Sequence, residues 1–204
     1  MTKLWRGAPL ILASKSSSRR GLLAGAGIAF EVVDSFIDER AVEAPLCAAG
    51  AGGAEIARHL ARAKALAVSA KQPDRLVVGA DQTLSLEGQV FVKPPDRAAA
   101  AAQLAALSGH THELRSALCV ARANEVLFEA APVARLAVRR LSQAFIEAYI
   151  AMVGDAVLAS VGAYQIEGLG IHLFEKIEGD HSTILGLPLL PLLTYLRQEG
   201  SLLR

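Results

Sequence analysis

The apolar and polar positions along the chain predict alternating strands and helices. Short apolar runs at residues 9–13, 28–33 and 76–84 are typical of buried strands. Residues 54–69 have the apolar spacing of an amphipathic helix, and residues 96–107 form an Ala-rich segment that Asp96 can cap. The alternation predicts an α/β protein with helices covering a sheet.

The second half of the chain adds further strands. The pattern predicts strands at residues 110–120, 125–130, 133–141 and 171–174, with a helix beginning after Ser142. Residues 44–53 are rich in Ala and Gly and contain a proline, which predicts a loose loop. No internal repeat or linker divides the chain, so a single domain covering residues 1–204 is expected.

The strand at residues 76–84 carries an acid where the sheet should open. Its apolar run reaches Asp81 through Gly79 and Ala80, and ligands of open α/β sheets bind beyond such strand ends. A turn at residues 87–89 then leads to a second short strand ending in Lys93. Such a hairpin would bring the acid and the lysine to one end of the sheet. The pair suggests a site for a metal and a phosphate, or else a solvated surface ion pair.

A second candidate site follows the first strand, where a polar turn leads into a helix. Free backbone N–H groups at a helix N-terminus bind anions. Ser14, Ser16 and Ser18 can cap or donate hydroxyl groups there, and Arg19 adds a phosphate donor. The alternative is an ordinary helix cap with a solvated arginine.

Two further charged positions complete the candidates. Glu39 lies in an acidic cluster after the second strand, where carboxylates could hold a divalent cation or simply be solvated. Lys64 lies at the border of the apolar stripe of the helix at residues 54–69, which we assign to Ile56, Leu60, Ala63 and Ala67. There it could lean into a cleft or reach solvent.

Composition restricts the class of protein. Hydrophobic residues make up 52% of the 204 residues but aromatic residues only 5%, which fits aliphatic packing between helices and a sheet. The formal net charge of +1 and the few aromatic residues argue against nucleic-acid partners. No apolar run approaches the roughly 20 residues that span a bilayer, and the two cysteines lack metal spacing. We expect a soluble cytoplasmic protein without a membrane partner.

Four stretches together resemble the Maf family of nucleoside triphosphate pyrophosphatases. In the family's order they are residues 12–20, 79–82, 93–94 with 108–112, and 162–168 with 186–189. The resemblance implies a mixed twisted sheet flanked by helices, in two lobes around a central cleft. It also implies hydrolysis of the α–β phosphoanhydride of a nucleoside triphosphate, a divalent cation (Mg²⁺ or Mn²⁺) and a possible homodimer.

The resemblance also assigns roles to individual residues. Ser14, Ser16 and Arg19 match the family's phosphate-binding loop. The catalytic set implied by the match consists of Glu39, Lys64, Asp81 and Lys93. Glu39 and Asp81 could hold Mg²⁺ as metal ligands, or Asp81 could orient the attacking water as a base. Phosphoryl transfer of this kind depends on positioning and charge neutralisation more than on covalent help.

Base choice is predicted from Gln82 and Glu167. Family members that take dTTP or UTP have Thr and Gln at the positions of Gln82 and Glu167. Members that take 7-methyl-GTP have Gln and Glu at these positions, and this chain resembles the second group. A buried carboxylate at Glu167 would accept two N–H groups of guanine and reject bases that leave it unpaired. The 7-methyl-GTP members carry a tryptophan where this chain has Ser18, so stacking on a cationic base from that position is lost.

Two other functions remain open from the sequence. The chain could be a dTTP/UTP pyrophosphatase of the same family, or a nucleotide-sensing regulator of cell division without catalysis. A dinucleotide-binding dehydrogenase is excluded because no G-x-G-x-x-G follows the first strand.

Overall fold

A computed structural model describes residues 4–203 as a mixed α/β fold. The strands are β1 (Leu10–Leu12), β2 (Phe30–Val32), β3 (Val77–Leu86), β4 (Gln89–Phe91), β5 (Thr111–Arg122), β6 (Glu125–Ala130), β7 (Val133–Val138) and β8 (Phe174–Glu178). The helices are α1 (Ser17–Gly25), α2 (Glu39–Ala48), α3 (Gly53–Ser69), α4 (Arg97–Leu107), α5 (Gln143–Val153), α6 (His181–Ile184) and α7 (Leu189–Glu199). The predicted fold class, a mixed sheet flanked by helices, is confirmed.

The strands form a mixed sheet in the order β2-β1-β3-β5-β7-β8, with β4 paired to β3 and β6 paired to β5. Strand β1 is parallel to both β2 and β3, whereas the pairs β3–β4, β5–β6 and β7–β8 are antiparallel. The predicted hairpin is confirmed: Glu87 and Gly88 join β3 to β4, and both have positive φ, as a tight two-residue turn requires. No helix among residues 4–203 is both long and apolar enough to cross a bilayer.

The chain divides into two compact units. The first comprises residues 4–82, 115–132 and 180–203 of the described range, and the second comprises residues 83–114 and 133–179. In the first unit, leucines of β1 and α1 pack with α7 in an apolar cluster that includes Leu12, Leu23, Val78, Leu118 and Leu196. A small-residue cluster of alanines joins α3 to β5. The second unit buries Leu104 of α4, Leu136 of β7 and Ile146 of α5.

Several predicted elements differ from the structure. The predicted loop at residues 44–53 was wrong over its first half, because α2 continues to Ala48 with Pro45 inside it. Asp38 starts this helix by accepting the Ala41 N–H at 3.2 Å, and the Ala-rich segment sustains it. The strand predicted at residues 171–174 was also wrong, since a 3₁₀ helix occupies Leu169–Leu173 and β8 begins only at Phe174.

The apolar stripe predicted for α3 was wrong in part. Ile56 and Leu60 are buried, but Ala63 and Ala67 are only half-buried. Ala57, Ala61 and Ala65 are fully buried instead. Alanines can take these positions because the helix lies close to the sheet, where larger side chains do not fit.

Candidate active site

Lys64 joins two carboxylates in the first unit. Its Nζ lies 2.6 Å from Asp81 Oδ1 and 2.8 Å from Glu39 Oε1. Lys64 and Asp81 are only 7% and 8% exposed, whereas Glu39 is largely open to solvent. The structure therefore brings together three of the four residues predicted as catalytic, with the ammonium between two acids.

The close approach of α3 to β3 explains this contact. A Cβ on Gly79 would lie 2.2 Å from the Ala61 carbonyl oxygen and 2.7 Å from the Ala65 nitrogen. Only a glycine lets the helix backbone come so near the strand. Because Lys64 lies on α3 and Asp81 lies two residues after Gly79, this packing sets the distance between their charged groups.

Arg19 is fixed by three acceptors, all in the first unit. Its Nε donates to the Gly186 carbonyl at 2.8 Å, and Nη1 donates to the Ala80 carbonyl at 2.7 Å and to Ser14 Oγ at 3.0 Å. No hydrogen bond found within residues 4–203 uses Nη2. That edge of the planar guanidinium is thus left for an outside acceptor such as a phosphate oxygen.

The predicted phosphate loop has the expected local structure. Ser16 caps α1, its Oγ accepting the Arg19 N–H at 3.4 Å, and Ser14 Oγ accepts the Ser16 N–H at 3.3 Å. Ser18 is half-buried in the first turn of the helix. The turn therefore offers the positive end of a nine-residue helix beside the Arg19 guanidinium.

The charges of Asp81 and Glu39 also affect the pKa of a nearby third acid, Glu43. Burial and the negative charges of Asp81 and Glu39 raise the pKa of Glu43 above its ordinary value. Burial also lowers the pKa of Arg19, while the same two carboxylates oppose that shift. Glu43 lies one turn after Glu39 on α2 and was missed by the sequence reasoning. The signal was the i, i+4 spacing of the two acids, but no helix was predicted over residues 39–43.

Gln82 has different contacts from those expected of a base-reading residue. Its Nε2 donates to Ser116 Oγ at 2.9 Å, to the Ile184 carbonyl at 2.9 Å and to the Thr183 carbonyl at 3.1 Å. Ser116 Oγ in turn donates to the Thr183 carbonyl at 2.6 Å. The amide nitrogen of Gln82 is therefore engaged in holding α6 to β3 and β5.

The second unit holds the remaining two predicted site residues. Lys93 follows β4 and is exposed. Glu167 is exposed as well, so the prediction that it is a buried carboxylate was wrong. The chain after it turns tightly: a Cβ on the buried Gly170 would lie 2.4 Å from the Gln165 carbonyl oxygen. The carboxylate of Glu167 therefore points into solvent from a compact turn.

A buried histidine anchors the segment that leads to Glu167. His112 on β5 is fully buried, and its Nε2 lies 2.7 Å from the Tyr164 hydroxyl oxygen. The Tyr164 ring packs edge-on against Phe174, and Ser160 Oγ donates to the Tyr164 carbonyl at 2.6 Å. This role for His112 was not predicted from the sequence.

A cavity of about 500 Å³ opens beside the carboxylates in the first unit. It is lined by Ala13, Ser14, Lys15, Asp34, Ser35, Phe36, Ile37, Glu39 and Lys64. The volume lies within the usual range of small-molecule pockets, roughly 300–1,000 Å³. Carboxylates, an ammonium and the end of the phosphate loop thus face one hollow.

The residues present fit the divalent cation that the resemblance implies. No group of three or more His, Cys, Asp or Glu side chains suited to a metal occurs within residues 4–203. Mg²⁺, however, is held in many enzymes by only one or two carboxylates together with water and substrate phosphates. Lys64 Nζ contacts Asp81 Oδ1 and Glu39 Oε1, and no hydrogen bond found within residues 4–203 uses Asp81 Oδ2 or Glu39 Oε2, which leaves an oxygen of each acid for a cation.

Fold and site together define an α/β protein with a charged cavity at the carboxyl ends of parallel strands, where ligands of open α/β sheets bind. A family model described as Maf-like protein matches residues 9–199, and the chain belongs to this family.

Relatives of the chain carry two names. A nucleoside triphosphate pyrophosphatase of Rhodopseudomonas palustris (strain BisB18) is 55% identical over 198 residues, which is 96% of each chain. A 7-methyl-GTP pyrophosphatase of Brucella abortus is 54% identical over 190 residues, 93% of this chain and 96% of the relative. A 7-methyl-GTP pyrophosphatase of Rhizobium johnstonii is 55% identical over 193 residues, 95% of this chain and 97% of the relative. The family predicted from the sequence is confirmed.

Proposed function

We propose that this protein is a nucleoside triphosphate pyrophosphatase that prefers a guanine-type base, with 7-methyl-GTP as the first candidate substrate. The observation that carries the proposal is the buried Lys64 ammonium held between Asp81 and Glu39 beside the phosphate loop. The names of the relatives, which divide between the general and the 7-methyl-GTP activity, support the same reaction.

The reaction needs water to add to the α-phosphorus while the α–β bridging oxygen leaves with pyrophosphate. Asp81 is suited either to hold a cation or to orient that water and take its proton, because Lys64 fixes its Oδ1 and leaves Oδ2 for one of these roles. Lys64 would hold the carboxylate in place and offset negative charge as it develops on the phosphate.

Arg19 is suited to bind a phosphate oxygen through Nη2. Its other nitrogens are held by backbone and Ser14, so the donor edge is already oriented before the substrate arrives. Ser16, Ser18 and the N–H groups of the first turn of α1 would add donors to the same anion. For Lys93 we propose charge neutralisation on the triphosphate.

A divalent cation fits Glu39 and Asp81 as protein ligands, and when bound it would neutralise phosphate charge and polarise the reacting phosphoryl group. Within residues 4–203, no third metal-binding side chain joins these two carboxylates. Glu43 contributes a further negative charge nearby, which favours a cation at this site.

For Glu167 we propose recognition of the base. Its exposed carboxylate can accept the N1–H and N2–H₂ donors of guanine together, whereas thymine and uracil offer a single N–H. Substrate binding would have to exclude water from this carboxylate for strong discrimination, because hydrogen bonds to exposed groups compete with solvent.

The experiment is a pyrophosphate-release assay over the standard triphosphates and 7-methyl-GTP, with and without Mg²⁺ and after chelation. We expect release that depends on the cation, and at least 100-fold slower release in Asp81→Asn. Glu167→Gln should lower the ratio of kcat/KM for 7-methyl-GTP to that for UTP by about 10-fold. An unchanged rate in Asp81→Asn would remove Asp81 from the mechanism.

A further inference from the structure

Phe36 is an aromatic residue placed at the cavity beside the carboxylates yet exposed to solvent. Its side chain is 81% exposed, although it lines the same hollow as Ser14, Glu39 and Lys64. Single exposed apolar residues are common on protein surfaces, so what distinguishes Phe36 is its place at this cavity and not its exposure alone.

The backbone at Phe36 is held in an unfavourable conformation. Its φ of 52° lies in the left-handed region, which is uncommon for residues other than Gly, Asn and Asp. Such conformations persist where surrounding contacts impose them, and they concentrate at ligand sites.

Two contacts impose this conformation. Asp34 Oδ1 accepts the Phe36 N–H at 3.1 Å, and Asp34 Oδ2 pairs with Lys15 Nζ at 2.5 Å. The Lys15 ammonium also lies 5.8 Å from the centroid of the Phe36 ring. The Lys15–Asp34 ion pair therefore stabilises a turn that places the Phe36 ring at the cavity. The Lys15 ammonium lies over part of one face of this ring.

We propose that Phe36 stacks on the nucleobase of the substrate. The inference rests on the proposed function and deepens it by naming a residue of the first unit that stacks on the base. The position of Ser18 offers no ring for stacking, whereas Phe36 supplies one at the mouth of the cavity that Lys64 and Glu39 line. Stacking uses the π-face that every base has, so Phe36 strengthens binding while polar groups determine base choice.

The test measures binding without hydrolysis. Calorimetry with α,β-methylene analogues of GTP and UTP reports nucleotide affinity even if the protein releases no pyrophosphate. Phe36→Leu keeps an apolar side chain without a ring, and Phe36→Asn suits the positive φ without a ring. Phe36→Trp retains an aromatic surface. Leu190→Ala, at another exposed apolar residue of the first unit, is the matched control.

We expect Phe36→Leu and Phe36→Asn to weaken binding of both analogues by about 5- to 150-fold, the range found for aromatic stacking on single bases. Phe36→Trp should bind at least as tightly as the wild type, and Leu190→Ala should be unchanged. The affinity for inorganic tripolyphosphate, which has no base, should change less than about 2-fold in every variant, whether measured as binding or as inhibition. The thermal midpoint of Phe36→Asn should be equal to or above that of the wild type, because the backbone strain is relieved.

Three results would overturn the inference. The first is unchanged nucleotide affinity in Phe36→Leu and Phe36→Asn. The second is an equal loss of affinity for tripolyphosphate, which would indicate a general disturbance of the site. The third is a change of oligomeric state with unchanged affinity, which would make Phe36 a subunit contact. Failure of the proposed function is a separate result, seen as absence of pyrophosphate release by the wild type.

Discussion

The ammonium of Lys64 and the carboxylate of Asp81 form a buried ion pair, with Nζ and Oδ1 2.6 Å apart. A buried charge left without its partner destabilises a fold far more than removal of the whole pair does. Glu39, on the same ammonium, is more exposed and can be solvated when the pair is broken.

Lys64→Met should therefore destabilise the protein by about 3–5 kcal/mol, since Asp81 would remain charged and buried. The double variant Lys64→Met/Asp81→Asn should recover a large part of that loss. Urea denaturation followed by circular dichroism measures both. Additive losses in the double variant would show that the two residues do not stabilise each other. Both variants should lack pyrophosphatase activity.

Gln82→Thr should lower kcat/KM by a similar factor, about 3- to 30-fold, for guanine and pyrimidine triphosphates. The reason is that the Gln82 amide nitrogen holds the backbone of α6, near the Gly186 carbonyl that orients Arg19. Ser116→Ala, which removes one of these contacts, is the matched variant and should reproduce a base-independent loss. A shift of base preference in Gln82→Thr alone would make Gln82 a base-reading residue.

Gly79→Ala should separate the catalytic pair. The new methyl group would meet the backbone of α3 at Ala61 and Ala65, so the helix must move away from β3 or the strand must distort. Overpacking of this kind costs about 1–3 kcal/mol, and the shift should lower kcat at least 10-fold because Lys64 moves with the helix.

The matched substitution is Gly21→Ala on α1, where a Cβ would meet no atom within 4 Å. That variant should retain stability and activity. Equal stability and kcat in Gly79→Ala would contradict the close approach of helix and strand.

His112 should make the stability of the fold depend on pH. Burial lowers its pKa to about 4, and no partner for its Nδ1 occurs within residues 4–203. An unfolded histidine has a pKa of about 6.5, so between pH 6.5 and 4 the unfolded chain binds a proton that the folded chain does not. Stability should fall as the pH is lowered through this window, by up to about 3 kcal/mol from this group.

His112→Gln carries no titrating group and can still bond the Tyr164 hydroxyl. The slope of unfolding free energy against pH between 4 and 6.5 should be smaller in this variant than in the wild type. Equal slopes would assign the acid sensitivity to other groups.

The sequence by itself determined the order and type of most elements. The hairpin after β3, the caps at Asp96 and Ser142 and the long helix α3 depend on residues within a few positions of one another, so local patterns suffice to predict them. The family match likewise depended on short motifs in order, and Lys64, Asp81 and Glu39 were found in this way.

Only the tertiary structure decided how these residues meet. Gln82 bonds a carbonyl 101 positions away, and Arg19 bonds one 167 positions away, so no local pattern could reveal their partners. Helix α2, which places Glu43 near the acids, includes a proline that local rules treat as a breaker. The tertiary structure also decided which side chains are exposed. Glu167 lies in solvent and Phe36 lies at the cavity, because the turns that carry them depend on backbone angles and on packing against distant residues.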